Sequence, residues 1–199
     1  MTTRIFVAGL LGGIVMFIWT SIAHMALPLG ETGVQELPNE PTALDCLKTN
    51  MAGHEGFFVF PGSGLGPDAS REERHKAMKE HMEEKLANHP SGILIYHPLR
   101  PLRMGRYLGI EFATEVFEAI LLVFLLSSTR LLTAGSRILF ATIAGVLVAV
   151  GTNVSYWNWY GFPKRYTAAY MFIQIVGFFL IGVVSALVLK NRDPVRESA

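Results

Sequence analysis

The sequence predicts an all-α integral membrane protein, with four transmembrane helices and a small extracytoplasmic α/β insert between helices 1 and 2. Three observations predict it. Hydrophobic residues make up 51% of the 199 and charged residues only 17%, against roughly 25% charged in an ordinary soluble domain. Four apolar runs are each about as long as the ~20 helical residues that cross a bilayer core. Between the first and second lies a polar stretch of 79 residues with the marks of helices and strands. The composition excludes a disordered chain. The net charge of +1, from 17 basic and 16 acidic residues, gives no reason to expect a nucleic-acid partner. A single cysteine, Cys46, excludes an internal disulfide and any CxxC site.

The domain layout follows from the runs. Residues 1–27 are a short tail and the first transmembrane helix. Its apolar part, 5–27, has no Asp, Glu, Lys or Arg over 23 residues. That exceeds the roughly 7–15 of a signal peptide's apolar region, and no A-x-A cleavage site follows, so it is expected to stay as an anchor. Residues 28–106 are the insert. Residues 107–189 hold helices 2–4, in runs 107–128, 138–156 and 167–189. Residues 190–199 are a cytoplasmic tail. Trp157 and Trp159 stand with Tyr156, Tyr160 and Tyr166 between the last two runs. Such rings gather at membrane–water interfaces, where an apolar body meets a wet N–H or O–H.

Orientation is read from Lys and Arg near the helix ends. Arg4, Arg130, Arg137, Lys190, Arg192 and Arg196 fall on one side. Arg100, Arg103, Arg106, Lys164 and Arg165 fall on the other. The first helix decides: Arg4 precedes it, while Glu31, Glu36 and Glu40 follow it. Both termini are therefore expected in the cytoplasm. The insert is expected outside, in the periplasm if the membrane is a bacterial inner one.

Inside the insert the pattern is helix, strand, helix, strand. Residues 41–51 make a short helix, capped by Asn39 or Glu40 with Pro41 in its first turn. Residues 56–61 are an apolar strand stopped by Pro61, followed by a glycine-rich loop. Ser70 and Glu73 make a capping box that opens a charged helix reaching about Ala87. Residues 93–96 are the second strand, expected to lie parallel to the first through a right-handed crossover.

Two clusters are chemically suggestive. Glu111, Glu115 and Glu118 are spaced four and three, which puts three carboxyls on one face of helix 2. A carboxylate facing lipid near the bilayer centre costs about 2.5–3.5 kcal/mol or more. These side chains must face a protein interior, a cavity or a partner. Ser21 and His24 on helix 1, Asn153 on helix 3 and Gln174 on helix 4 fall at similar depth, so one polar pocket is expected. Such a group suits interhelical hydrogen bonding, a proton relay, or a divalent metal held by the three glutamates and His24. In the insert, His75, Met78 and Met82 share a helix face. Imidazole with thioether suits copper(I); the plainer reading is that Met78, Met82 and Leu86 form an apolar docking stripe.

The glycine loop at 62–66 lacks the Gly-Lys-Ser/Thr ending of a phosphate cradle. Arg100, Arg103 and Arg106 suit anionic lipid headgroups or a partner's acidic face. Gly9, Gly12, Gly13, Gly145, Gly151, Gly177 and Gly182 supply the small residues that let membrane helices approach. The expected function is a non-catalytic accessory or interaction subunit of a larger membrane assembly, or of a homo-oligomer, in contact with membrane lipids. The alternative is an ion or proton carrier, or a metal-dependent membrane protein, using Glu111, Glu115, Glu118 and His24.

Overall fold

The computed structural model describes residues 3–66, 68–129, 131 and 133–189, the side chain of His81 aside. The expected tail at 190–199, with its three basic residues, and Arg130 lie outside the described residues. The helices and strands run in the order α1 (Thr3–Met25), α2 (Glu40–Asn50), β1 (Gly56–Phe60), α3 (Arg71–Asn88), β2 (Gly92–Tyr96), α4 (Met104–Ser127), α5 (Ala134–Ala149), α6 (Ser155–Tyr160) and α7 (Lys164–Val188). A π turn, Val150–Val154, joins α5 to α6 without a break.

Three helical stretches are long and apolar enough to cross a membrane: α1 with 23 residues, the continuous stretch Ala134–Tyr160 with 27, and α7 with 25. Helix α4 is 24 residues long, but Arg106, Glu111, Glu115 and Glu118 load it with charge.

The chain divides into two compact units. The first combines Met1–Gln35 with Leu102–Ala199. In it, α1 packs on α4 and α7, and α7 packs on α5; α4 rests chiefly on α1. Glycines bring these helices together. A Cβ on Gly9 would lie 2.8 Å from Ile120 Cα, and one on Gly13 would strike Val116 Cα, so α1 and α4 meet backbone to backbone. On the other flank, a Cβ on Gly182 would lie 3.1 Å from Ile138 Cα. The buried core is Ala8, Met16, Ala119, Leu122, Val123, Leu126, Ala141, Phe178 and Ile181. Residues 28–35 belong to this unit as well. Gly33 adopts φ +81° close to Tyr166, a conformation in which a side chain would be strained.

The C-terminus of α7 is tied to α5 by Arg137, which is only 5% exposed. Its Nη1 donates to the Leu189 carbonyl and its Nε to the Leu131 carbonyl at 3.3 Å. A base read from the sequence as an orientation marker is thus also a helix cap.

The second unit is Glu36–Pro101. Helix α2 starts after Asn39, whose φ of 51° is left-handed and whose side chain makes no capping bond. Helix α3 opens with the expected capping box: Glu73 N donates to Ser70 Oγ at 3.2 Å, and Ser70 N donates to Glu73 Oε2 at 2.8 Å. The Ser70 hydroxyl also donates to Glu73 Oε2 at 2.8 Å, and this bond, with the one from Ser70 N, favours the charged carboxylate and holds Glu73 below the usual carboxylate range.

The strand pairing corrects the sequence expectation. The strands β1 and β2 are antiparallel, with Gly56 opposite Tyr96 and Phe60 opposite Gly92. The reason lies in the loop between β1 and α3. Arg74, in the first turn of α3, donates to the Ala69 and Gly66 carbonyls. Lys85, in its last turn, donates to the Gly62 carbonyl at 3.0 Å. The far end of α3 is therefore moored beside the residue where β1 ends. The chain enters β2 at that same edge and must run back along β1.

Candidate functional site

The carboxyl cluster is set by the helical period of α4. Glu115 lies on the side that meets α1, in register with Ala119, Leu122 and Leu126, and is 3% exposed. Glu118 is half-buried and Glu111 is exposed. At 1.5 Å rise per residue the outer two differ by about 10 Å along the axis. All three are close enough to act on one another electrostatically. The Thr20 side chain of α1 stands beside the Glu115 carboxyl. Glu115 Oε2 has no hydrogen-bond partner among the described residues. None of the three carboxyls takes part in an ion pair among the described residues; those seen are Lys48–Asp45 and His97–Glu55.

His24 is tied to the Thr20 backbone on its own helix. Its Nδ1 donates to the Thr20 carbonyl at 2.9 Å, one turn back on α1. The His24 ring meets Tyr170 edge to face at 5.6 Å. From there aromatic rings continue through Tyr166, stacked on Tyr170 at 4.2 Å, to Phe162 and Tyr156.

Asn153 and Gln174 form a separate pair. Asn153 Nδ2 donates to Gln174 Oε1 at 3.1 Å and to the Ala149 carbonyl at 3.0 Å. The π turn places this residue: widening the helix by one residue at 150–154 turns Asn153 inward, where it is 9% exposed. Such turns inside α-helices often mark functional positions. Next to Gln174, the Ile173 carbonyl accepts from Trp19 Nε1 at 2.9 Å, linking α1 to α7. Ser21 is half-buried on α1. The polar residues expected in one pocket thus occupy three contacts: Glu115 with Thr20, His24 with Tyr170, and Asn153 with Gln174.

Among the described residues, no three His, Cys, Asp or Glu side chains gather closely enough to hold a metal ion. On α3, His75 is exposed, Met78 is 60% exposed and Met82 is partly covered. Leu86 is 51% exposed as well, so the expected docking stripe is largely open. Arg100, Arg103 and Arg106 are exposed, the last in the first turn of α4. Trp157 and Trp159 project from α6 at 40% and 79% exposure.

Sequence reasoning missed Thr20, Trp19 and the capping role of Arg137. Thr20 carried a signal, since it lies four residues before His24 and so on the same helical face. Trp19 and Arg137 act on backbone carbonyls of distant elements, which no local pattern reveals. Compared with known protein families, curated proteins and solved structures, the chain shows no significant match.

Proposed function

We propose that this chain is a non-catalytic subunit of a larger membrane assembly, joined to its partner through α4. In this reading α4 is a fourth span beside the three apolar stretches. Both termini face the cytoplasm, and the 28–106 segment lies outside. The observation that carries it is the state of α4. The helix rests chiefly on α1 and leaves Glu111 exposed and Glu118 half-exposed, with Leu121 and Leu125 at 46% and 54%. Carboxylates turned to lipid each cost about 2.5–3.5 kcal/mol or more near the bilayer centre. A partner helix laid along this face removes that cost. The arginines at 100, 103 and 106 and the two tryptophans of α6 suit contact with lipid headgroups at the membrane surface.

Purification from native membranes in a mild detergent tests the reading. The expected result is a stable complex with other membrane subunits in fixed ratio. A chain recovered only as monomer or homodimer overturns it.

A second reading rests on Glu115, whose buried Oε2 has no partner among the described residues. A carboxyl so placed beside Thr20 suits a group that takes up and releases a proton. In proteoliposomes carrying an internal pH dye, proton flux lost in Glu115→Gln with the fold intact supports this reading. Equal flux with and without the wild-type chain overturns it.

A further inference from the structure

We infer that the partner's helix carries a lysine or arginine, seated between Glu111 and Glu118. The inference rests on the proposed subunit reading and names the chemistry of the partner. Glu111, Thr114, Glu118, Leu121 and Leu125 follow one another at spacings of three and four. That alternation keeps one seam facing a neighbouring helix over successive turns. All five positions are exposed or half-exposed, so the seam is open along four turns. The half nearer the end of α4 is apolar. The other half holds two carboxyls about 10 Å apart along the axis, with Thr114 between them. A threonine there is small enough to let a neighbouring helix approach closely. Glu115, on the flank of the same seam, is buried on the side that meets α1, and its Oε2 lacks a partner among the described residues.

Charge complementarity chooses the occupant. A second copy of this chain inserts into the membrane in the same orientation. A two-fold pairing along this seam would set Glu111 against Glu111 and Glu118 against Glu118, and like charges at such positions repel. A purely apolar helix leaves the acids unpaired in lipid. A helix with one cationic side chain midway between the two glutamates lies about 5 Å in depth from each. A lysine or arginine side chain spans that distance. Leu121 and Leu125 then pack against apolar residues about two and three turns further along the partner.

The test places a photoreactive amino acid at Leu121 or at Leu125 in the full chain, in native membranes, and sequences the cross-linked segment. The expected adduct is a spanning helix with a Lys or Arg about two turns from the attachment point at Leu121, or about three from that at Leu125, on the Glu118 side. The yield should fall about tenfold in Glu111→Gln/Glu118→Gln, the scale of an interhelical polar contact of 1–2 kcal/mol. Thermal stability in detergent should change little, because Glu111 is exposed, Glu118 is only partly buried, and glutamine keeps the shape of each side chain. As a second measurement, the purified chain labelled at Cys46 is mixed in vesicles with synthetic 21-residue Leu/Ala helices bearing a central Lys, Leu or Glu. Energy transfer should favour the Lys helix, and the Gln variant should abolish the preference. A partner helix without a base, an adduct undiminished in the Gln variant, or no preference for the Lys helix overturns the charge pairing and leaves the subunit reading standing. Cross-links only to lipid or to a second copy overturn both.

Discussion

Asn153 donates to Gln174 across the α5–α6 stretch and α7 at 3.1 Å, and its second amide hydrogen bonds the Ala149 carbonyl one turn earlier. One side chain thereby links two apolar helical stretches and occupies the π turn. Asn153→Leu should destabilise the protein by about 1–2 kcal/mol, since Gln174 loses its donor in a partly buried site. The double change Asn153→Leu/Gln174→Leu should cost less than the sum of the single ones, with a coupling of about 0.6 kcal/mol. Thermal unfolding in detergent checks both.

The backbone contact of α1 with α4 leads to a second prediction. Gly13→Val should lower stability by about 1–3 kcal/mol through overpacking, because the new side chain meets the Val116 backbone. Gly109→Ala on α4, where nothing lies within 4 Å, should be neutral or slightly stabilising, since alanine favours a helix. Parallel melting curves of the two variants separate packing from helix propensity.

Arg137 supplies a third. Arg137→Met keeps the apolar stem and removes the donors to the Leu131 and Leu189 carbonyls. Hydrogen bonds to charged groups contribute about 1.5–3 kcal/mol. The variant should lose stability in that range, and backbone hydrogen exchange should rise first in the last turn of α7.

The fourth concerns pH. Glu73 is held below its ordinary range by Ser70. Its contribution is fully present above the unfolded-state value, near 4.3, and is lost as pH falls through the lower folded value. The start of α3 should therefore persist at pH 5 and loosen in stronger acid. Glu73→Gln should remove that acid dependence, and Ser70→Ala should weaken the helix start at neutral pH as well. Amide exchange at Glu72, Glu73 and Arg74 reads all three.

The sequence by itself determined the helical stretches 3–25, 104–127 and 164–188 to within a few residues, and the capping box of α3. These depend on run length, on periodicity and on side chains three or four residues apart, all local quantities. It also marked Glu111, Glu115 and Glu118 as sharing a helical face. Only the tertiary structure decided how that face is used. Glu115 is buried because Gly9 and Gly13 let α1 close onto one side of α4, while Glu118 is only partly covered and Glu111, nearer the start of α4, is exposed. The direction of β2 was likewise decided by Lys85 reaching back to Gly62, and the link between α1 and α7 by Trp19 reaching Ile173. Each of these joins residues far apart in the chain, and their energies depend on which surfaces meet, which no spacing along the sequence specifies.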